Sequence, residues 1–371
     1  MTRRRIPFVS LTPGEDSRSV RQAIERVIER GWFVLGPEVE QFEVQFAAAA
    51  GASHAIGVGN GTDALALILR ALGIGLGDEV ITTSLSAAYT ALAISMTGAT
   101  PVFADVDPVR LTIDPDSIAA VVRPRTRAII PVHLYGQAAD MLPIERLASR
   151  HNLAIVEDCC QAHLATANGR PVGTIGHAGA FSFYPTKNLG ALGDGGAVVT
   201  NDRSLAEKVK RLRNGGQIDR YHHQERGINS RLDDLQAAVL GAKLPWLRGW
   251  TERRRQLAVS YRAALEGSVV DALPECDTGH VYHLFVIRTA ARDTLQAHLA
   301  ANGIETLVHY PVPIPKQPAF ADSVHEECPV ASRLCREIVS LPLYPRMTAD
   351  DVAQVAAAVN ESRIERKPCE P

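Results

Sequence analysis

Residues 178–200 read AGAFSFYPTKNLGALGDGGAVVT. Residues 180–184 are apolar and strand-like, and Pro185 stops them. Gly190, Gly193, Gly195 and Gly196 then let the backbone pass close to another group, and residues 197–200 read as a second strand. Lys187 is left on the lip of the turn between the two. A lysine in a loop is ordinarily a solvated side chain. Flanked by two apolar strands, it is instead a candidate Schiff-base residue, whose amine attacks a carbonyl once burial lowers its pKa.

Residues 153–158, LAIVED, form a short apolar run ending in Glu157 and Asp158. A buried parallel strand delivers an acid to the C-terminal edge of a sheet in this way. A carboxylate facing a pyridine nitrogen keeps that nitrogen protonated, which pyridoxal 5′-phosphate (PLP) needs to act as an electron sink. Residues 57–67, GVGNGTDALAL, turn from a strand at 54–58 through Gly59 and Gly61 into a helix beginning near Thr62. Unpaired N–H groups at a helix start bind phosphate. The glycine pair alone is common to many capped helices. With Lys187 and Asp158 it completes the three contacts of a PLP site: phosphate, ring nitrogen and aldehyde.

At this point the chain resembles the nucleotide-sugar aminotransferases, the DegT/StrS-like branch of the fold-type-I PLP-dependent enzymes. The matching segments are GWFVLGPEVEQFE, GVGNGTDALALIL, GATPVFADVDP, IIPVHLYGQAADM, IVEDCCQAH, AGAFSFYPTKNLGALGDGGAVVT, RNGGQIDRYHH, GINSRLDDLQAAVL, GIETLVHYPVPIPKQPAF and SLPLYP, in family order from residue 6 to 345. SFYPTKNLG and NSRLDDLQAAVL are the specific blocks. The resemblance implies that Lys187 is the catalytic lysine and that Asp158 pairs with the pyridine nitrogen. Gln161 would contact the ring hydroxyl, and Gly61, Thr62 and Ser182 would hold the phosphate. Asn229 would reach the phosphate from the other subunit of a homodimer with shared active sites. Arg231 would help there or at the substrate, and His309 and Tyr310 are candidate substrate contacts.

Two departures stand out. The family often stacks an aromatic residue on the cofactor ring in the segment here reading SLSAAYT, residues 84–90. Ala87 occupies that position, and Tyr89 follows two residues later. Either Tyr89 takes over or the space above the ring stays open. Cys159 and Cys160 replace small residues and read as packing, since a disulfide between sequence neighbours is strained.

The chain has 371 residues, 46% of them apolar, enough for one large domain and a smaller one. Seven strands, at 54–58, 79–82, 100–104, 128–132, 154–157, 180–183 and 197–200, alternate with helical stretches at 62–72, 88–97, 115–122 and 142–150. This pattern predicts an α/β, mostly parallel seven-stranded sheet flanked by helices. Residues 1–245, including two N-terminal helices at 15–30 and 39–50, read as the PLP-binding domain. Residues 246–371 read as a smaller C-terminal α+β domain, with a strand at 282–288 and helices at 292–302 and 349–362. A helical region at 232–265 is expected to break at Pro245.

A net charge of -2 leaves no basic field for nucleic acid or an anionic membrane. No apolar run reaches the length of a membrane span, and the arginine-rich start lacks the apolar core of a signal peptide. Six cysteines and 12 histidines show no metal-type spacing, which suits reduced thiols in a cytoplasm.

The expected activity is transfer of an amino group, from glutamate, to a keto-deoxysugar carried on a nucleotide. A 3-keto substrate is favoured over a 4-keto one by the GDGGAV turn and the RNGGQIDRYHH segment. Three alternatives stand beside it. A sugar-dehydrating relative would carry histidine in place of Lys187. A relative that makes an aminated aromatic acid is the second. A non-catalytic PLP-binding regulator would need an added DNA-binding segment or loss of the lysine, and the chain shows neither.

Overall fold

The computed structural model describes residues 4–321, 323–325, 327–362 and 364. All seven expected strands form, and they belong to one sheet. They are β1 (His54–Val58), β2 (Glu79–Thr83), β3 (Thr100–Ala104), β4 (Thr126–Ile130), β5 (Ala154–Asp158), β6 (Ala178–Ser182) and β7 (Gly196–Thr200). The order is β1-β7-β6-β5-β4-β2-β3, with the two-residue strand Val324–His325 added parallel to β3 at the edge. β7 runs antiparallel to both neighbours, and the other pairs are parallel.

β4 and β6 begin two residues before the stretches their apolar runs indicate. β4 also stops two residues early, at Ile130, because Pro131 has no N–H to continue the ladder. In β6, Gly179 joins the pairing because its missing side chain admits Gly173: a Cβ there would stand 2.3 Å from the Gly173 Cα.

Alternation along each strand divides the core in two. Ile155, Phe181, Ala197 and Val199 pack on one face with Phe42 and Phe46, from the helix α2 (Pro37–Ala50). Val156, Ala180 and Val198 pack on the other with Leu65 and Leu67, from α3 (Gly61–Ala71). β5 therefore sends Glu157 to the α2 face and Asp158 to the α3 face. The preceding helix, α1 (Ser17–Arg30), ends on the left-handed Gly31.

The helical region after residue 232 breaks at the expected proline. Asp234–Lys243 is followed by a 3₁₀ turn, Leu244–Trp246, and then Leu247–Ala264. A separate core gathers Leu257, Phe285, Leu299, Leu341 and Val355 around a three-stranded sheet, and Ile6 from the N-terminal arm joins it. The strand expected at 282–288 is shortened to Phe285–Arg288, since Tyr282 takes a positive φ of 47°. Helices Arg203–Leu212 and Pro329–Glu337 and the strand Ile338–Leu341 are additions that the sequence reading did not include.

Candidate active site

The site lies where the parallel strands end and α3 begins. Asn60 caps α3 by accepting the Asp63 N–H at 2.8 Å, which leaves the N–H groups of Gly61 and Thr62 without an intrahelical partner. Gly61 sits so close to the neighbouring strand ends that a Cβ would stand 2.6 Å from Cys160 Sγ and 2.9 Å from Ser182 Cβ. Only glycine lets the helix start approach β6 this way. Ser182 ends β6 and accepts the Tyr184 N–H at 3.3 Å. Cys159 is fully buried in the α2-side core, as the sequence indicates, whereas Cys160 is half-buried beside the α3 start, its Sγ 3.8 Å from the Ala180 carbonyl. None of the five described cysteines forms a disulfide.

The turn after β6 is tied back on itself. Lys187 N–H donates to the Tyr184 carbonyl at 2.8 Å, and Ala191 N–H to the Phe183 carbonyl at 2.8 Å. Gly190 is required, because a Cβ would meet the Pro185 carbonyl at 2.4 Å. Lys187 is half-buried. Burial lowers its pKa below the ordinary lysine value, against the opposing influence of Cys160 and Asp158. The next residue, Asn188, donates from Nδ2 to the Val281 carbonyl at 3.0 Å and meets His283 Nδ1 at 3.2 Å. His163, His283 and His309 all stand within the field of Lys187. Burial first, and that charge second, lower His163 to about 3 and His309 to about 4, and push His283 well below its usual value.

Asp158 is 6% exposed. Its Oδ1 accepts the Cys160 N–H at 3.0 Å and its Oδ2 accepts the Thr90 hydroxyl at 2.7 Å. Gln161 accepts the Tyr135 N–H at 2.8 Å and donates to the Tyr310 hydroxyl at 3.0 Å. Burial raises the Tyr310 phenol well above its usual pKa. His309 stacks on Phe8 at 5.6 Å, its Nδ1 lies 2.9 Å from Ser340 Oγ, and its carbonyl accepts the Tyr135 hydroxyl.

The structure thus gathers Lys187, Asp158, Gln161, Ser182, Gly61, Thr62, His309 and Tyr310. It does not draw Asn229 into that group within one chain. Asn229 is exposed, and Arg231 bonds to Asn214 at 3.0 Å. Between them Ser230 accepts the Gly59 N–H at 2.9 Å and donates to Asp63 at 2.6 Å, so this segment is fastened beside the α3 start. Tyr89 opens the helix α4 (Tyr89–Met96) with 64% of its surface exposed. It is the adjacent Thr90 that reaches Asp158. Thr90, Tyr135 and Asn188 were not singled out from the sequence. Tyr135 and Asn188 lie inside segments that carry the resemblance, and Thr90 follows directly on the aromatic that drew attention.

His133, Glu157 and Cys159 form a buried trio with ligand atoms within 4.8 Å of one another. Glu157 already accepts N–H bonds from Gly173, Ile175 and Gly176, each at 2.8 Å. His133 Nδ1 accepts the Ala139 N–H at 3.1 Å, so its proton sits on Nε2, 3.0 Å from Glu157. That tautomer points no lone pair at a metal, and Glu157 with His133 is a structural hydrogen-bond hub beside the core thiol of Cys159.

Comparison with known proteins identifies the family of the chain. The model of the DegT/DnrJ/EryC1/StrS aminotransferase family matches residues 15–360. A Streptomyces venezuelae protein named dTDP-3-amino-3,4,6-trideoxy-alpha-D-glucose transaminase is 48% identical, with 96% of each chain covered. An Aneurinibacillus thermoaerophilus protein named dTDP-3-amino-3,6-dideoxy-alpha-D-galactopyranose transaminase is 47% identical, over 96% of this chain and 99% of the relative. The crystal structure of S. venezuelae DesV in complex with a ketimine intermediate superposes with a TM-score of 0.93 at 46% identity, covering 97% of this chain and all of that one.

Proposed function

The chain belongs to the DegT/DnrJ/EryC1/StrS aminotransferase family, and from that premise we propose that it transfers an amino group from glutamate to the 3-keto carbon of a nucleotide-linked deoxysugar. It is a PLP-dependent aminotransferase. The residues present fit the cofactor, since the Gly61 notch, which a Cβ would fill, leaves two helix N–H groups and the Ser182 hydroxyl open to a phosphate.

When bound, PLP supplies the electron sink for the carbanion left as the amino acid loses its α-proton. Lys187, its pKa lowered by burial, holds the amine that attaches the cofactor and then carries a proton at Nζ between neighbouring carbons. Asp158 keeps the ring nitrogen protonated, and the second proton on Gln161 Nε2 is available to the ring oxygen. Tyr310 accepts from Gln161, so its own hydroxyl proton can be donated to substrate. His309 borders the same space. Tyr89 and Arg231 are further substrate contacts in this reading.

The single observation that carries the reading is the convergence of Lys187, Asp158 and the α3 start at one sheet edge. The 3-position is supported by the names of the two relatives that are 48% and 47% identical. A homodimer with shared sites is supported by the exposure of Asn229 and of the apolar Trp32, Phe33 and Val34. The absence of a disulfide among the described cysteines suits a cytoplasmic enzyme, and among the described residues no helix is long and apolar enough to cross a membrane.

The test is a half-reaction. The pyridoxamine form is mixed with 3-keto and 4-keto nucleotide sugars, and recovery of the visible absorbance is followed by stopped flow. A 3-keto sugar should restore it fastest. Recovery with 4-keto sugars alone would move the reaction to the other carbon, and recovery with neither would remove the substrate class.

A further inference from the structure

We propose that Thr90 is a positioning residue for the cofactor ring, its buried hydroxyl locking the Asp158 carboxylate in the orientation that meets the ring nitrogen. The inference rests on the reading of Asp158 as that nitrogen's partner. Each carboxylate oxygen carries one protein donor, Thr90 Oγ1 at 2.7 Å on Oδ2 and Cys160 N–H at 3.0 Å on Oδ1. The carboxylate cannot turn without breaking one of them. A carboxylate offers about four acceptor sites, so the two donors leave room for a ring N–H.

Thr90 is 2% exposed and is the second residue of α4. Its β-branch restricts χ1 within a helix, so the hydroxyl is presented in a fixed direction and not from a swinging chain. A threonine in a helix often bonds to a carbonyl of its own preceding turn. Here the hydroxyl leaves the helix for a carboxylate 68 positions away. Such a bond to a carboxylate is charge-assisted and about twice as strong as one between neutral groups. Cys160 supplies only a backbone donor, which side-chain substitution leaves in place, so Thr90 is the adjustable half of the lock.

The experiment compares the parent with Thr90→Val, Thr90→Ser, Asp158→Asn and the double variant Thr90→Val/Asp158→Asn. Valine keeps the branched shape and removes the hydroxyl, while serine keeps the hydroxyl. One readout is the PLP dissociation constant of the apoenzyme, from quenching of tryptophan fluorescence. The other is the pH at which the visible band of the bound cofactor half-titrates. Thr90→Val should weaken PLP binding by about tenfold or more, the worth of a hydrogen bond to a charged group, and shift the titration. Thr90→Ser should stay within about twofold of the parent, by the same reckoning that the bond is retained. The double variant should bind no more weakly than Asp158→Asn alone.

Parent-like affinity and titration in Thr90→Val would overturn the proposal. So would losses that add in the double variant, because Thr90 would then act by packing. If Asp158→Asn alone changes neither readout, the reading of Asp158 fails and the proposal falls with it, a result obtained without touching Thr90. Thr90→Ala serves the same comparison if the valine variant does not fold.

Discussion

Gln161 joins two segments that lie far apart in the chain, accepting the Tyr135 N–H at 2.8 Å and donating to the Tyr310 hydroxyl at 3.0 Å. The Tyr135 hydroxyl in turn donates to the His309 carbonyl, so four residues close a ring beside the end of β5. Gln161→Leu leaves the buried Tyr135 N–H unpaired and frees Tyr310. It should cost about 1–3 kcal/mol of stability, measured by urea denaturation. Gln161→Glu keeps an acceptor for Tyr135 and should recover part of that loss while still disturbing Tyr310. A leucine variant as stable as the parent would show that the ring carries no load.

Lys187→Ala removes the amine and leaves Gly61, Ser182 and Asp158 in place. The variant should bind PLP but lack the visible absorbance of the lysine-bound cofactor, and it should lose transamination. Normal turnover by this protein would end the assignment of Lys187.

The two neighbouring carboxylates of β5 should separate cleanly. Glu157 is fully buried, with three backbone donors and His133 on its oxygens. Glu157→Gln turns an amide NH2 toward N–H donors and should cost about 1–3 kcal/mol for each donor left unpaired. Asp158→Asn should change stability far less and slow proton removal by orders of magnitude. Chemical denaturation and single-turnover rates read the two effects, and the reverse pattern would mean that the roles had been exchanged.

Stability should fall on the acid side. Burial holds His163 and His280 at about 3 and His309 at about 4, from an ordinary 6.5. The unfolded chain therefore takes up protons that the fold refuses. The neutral-histidine contribution is complete above about pH 6.5 and is lost as pH falls toward 4 and then 3. The Tm of the apoenzyme should drop steadily over that window, and His280→Gln should flatten the slope. A Tm unchanged between neutral pH and the low end of the window would contradict these neutral histidines.

Subunit mixing tests the shared site. Protomers carrying Lys187→Ala combined with protomers carrying Asn229→Ala should regain activity, since one of the two sites in a heterodimer is then intact. With exchange verified and each parent variant inactive, no recovery would place Asn229 outside its partner's site.

The parallel sheet was legible because buried strands are short, nearly continuous apolar runs set off by glycine and proline. Lys187, Asp158 and the Gly61 turn were legible because each announces itself within about ten residues, as an amine beside glycines, an acid ending an apolar run or glycines opening a helix. The sequence by itself determined those local features. It could not determine which side of β5 faces α3, and hence why Glu157 is a structural hub while Asp158 enters the site. That choice depends on how α2 and α3 pack on opposite faces of the sheet. Nor could it pass over the conspicuous Tyr89 for Thr90, since the turn of one residue along α4 is fixed by the helix's seat on the sheet. The bonds Thr90–Asp158 and Gln161–Tyr310 join residues 68 and 149 positions apart. A polar side chain carries no local mark of its distant partner, and only the tertiary structure, by bringing the ends of separate strands and loops to one edge, decided which of them meet.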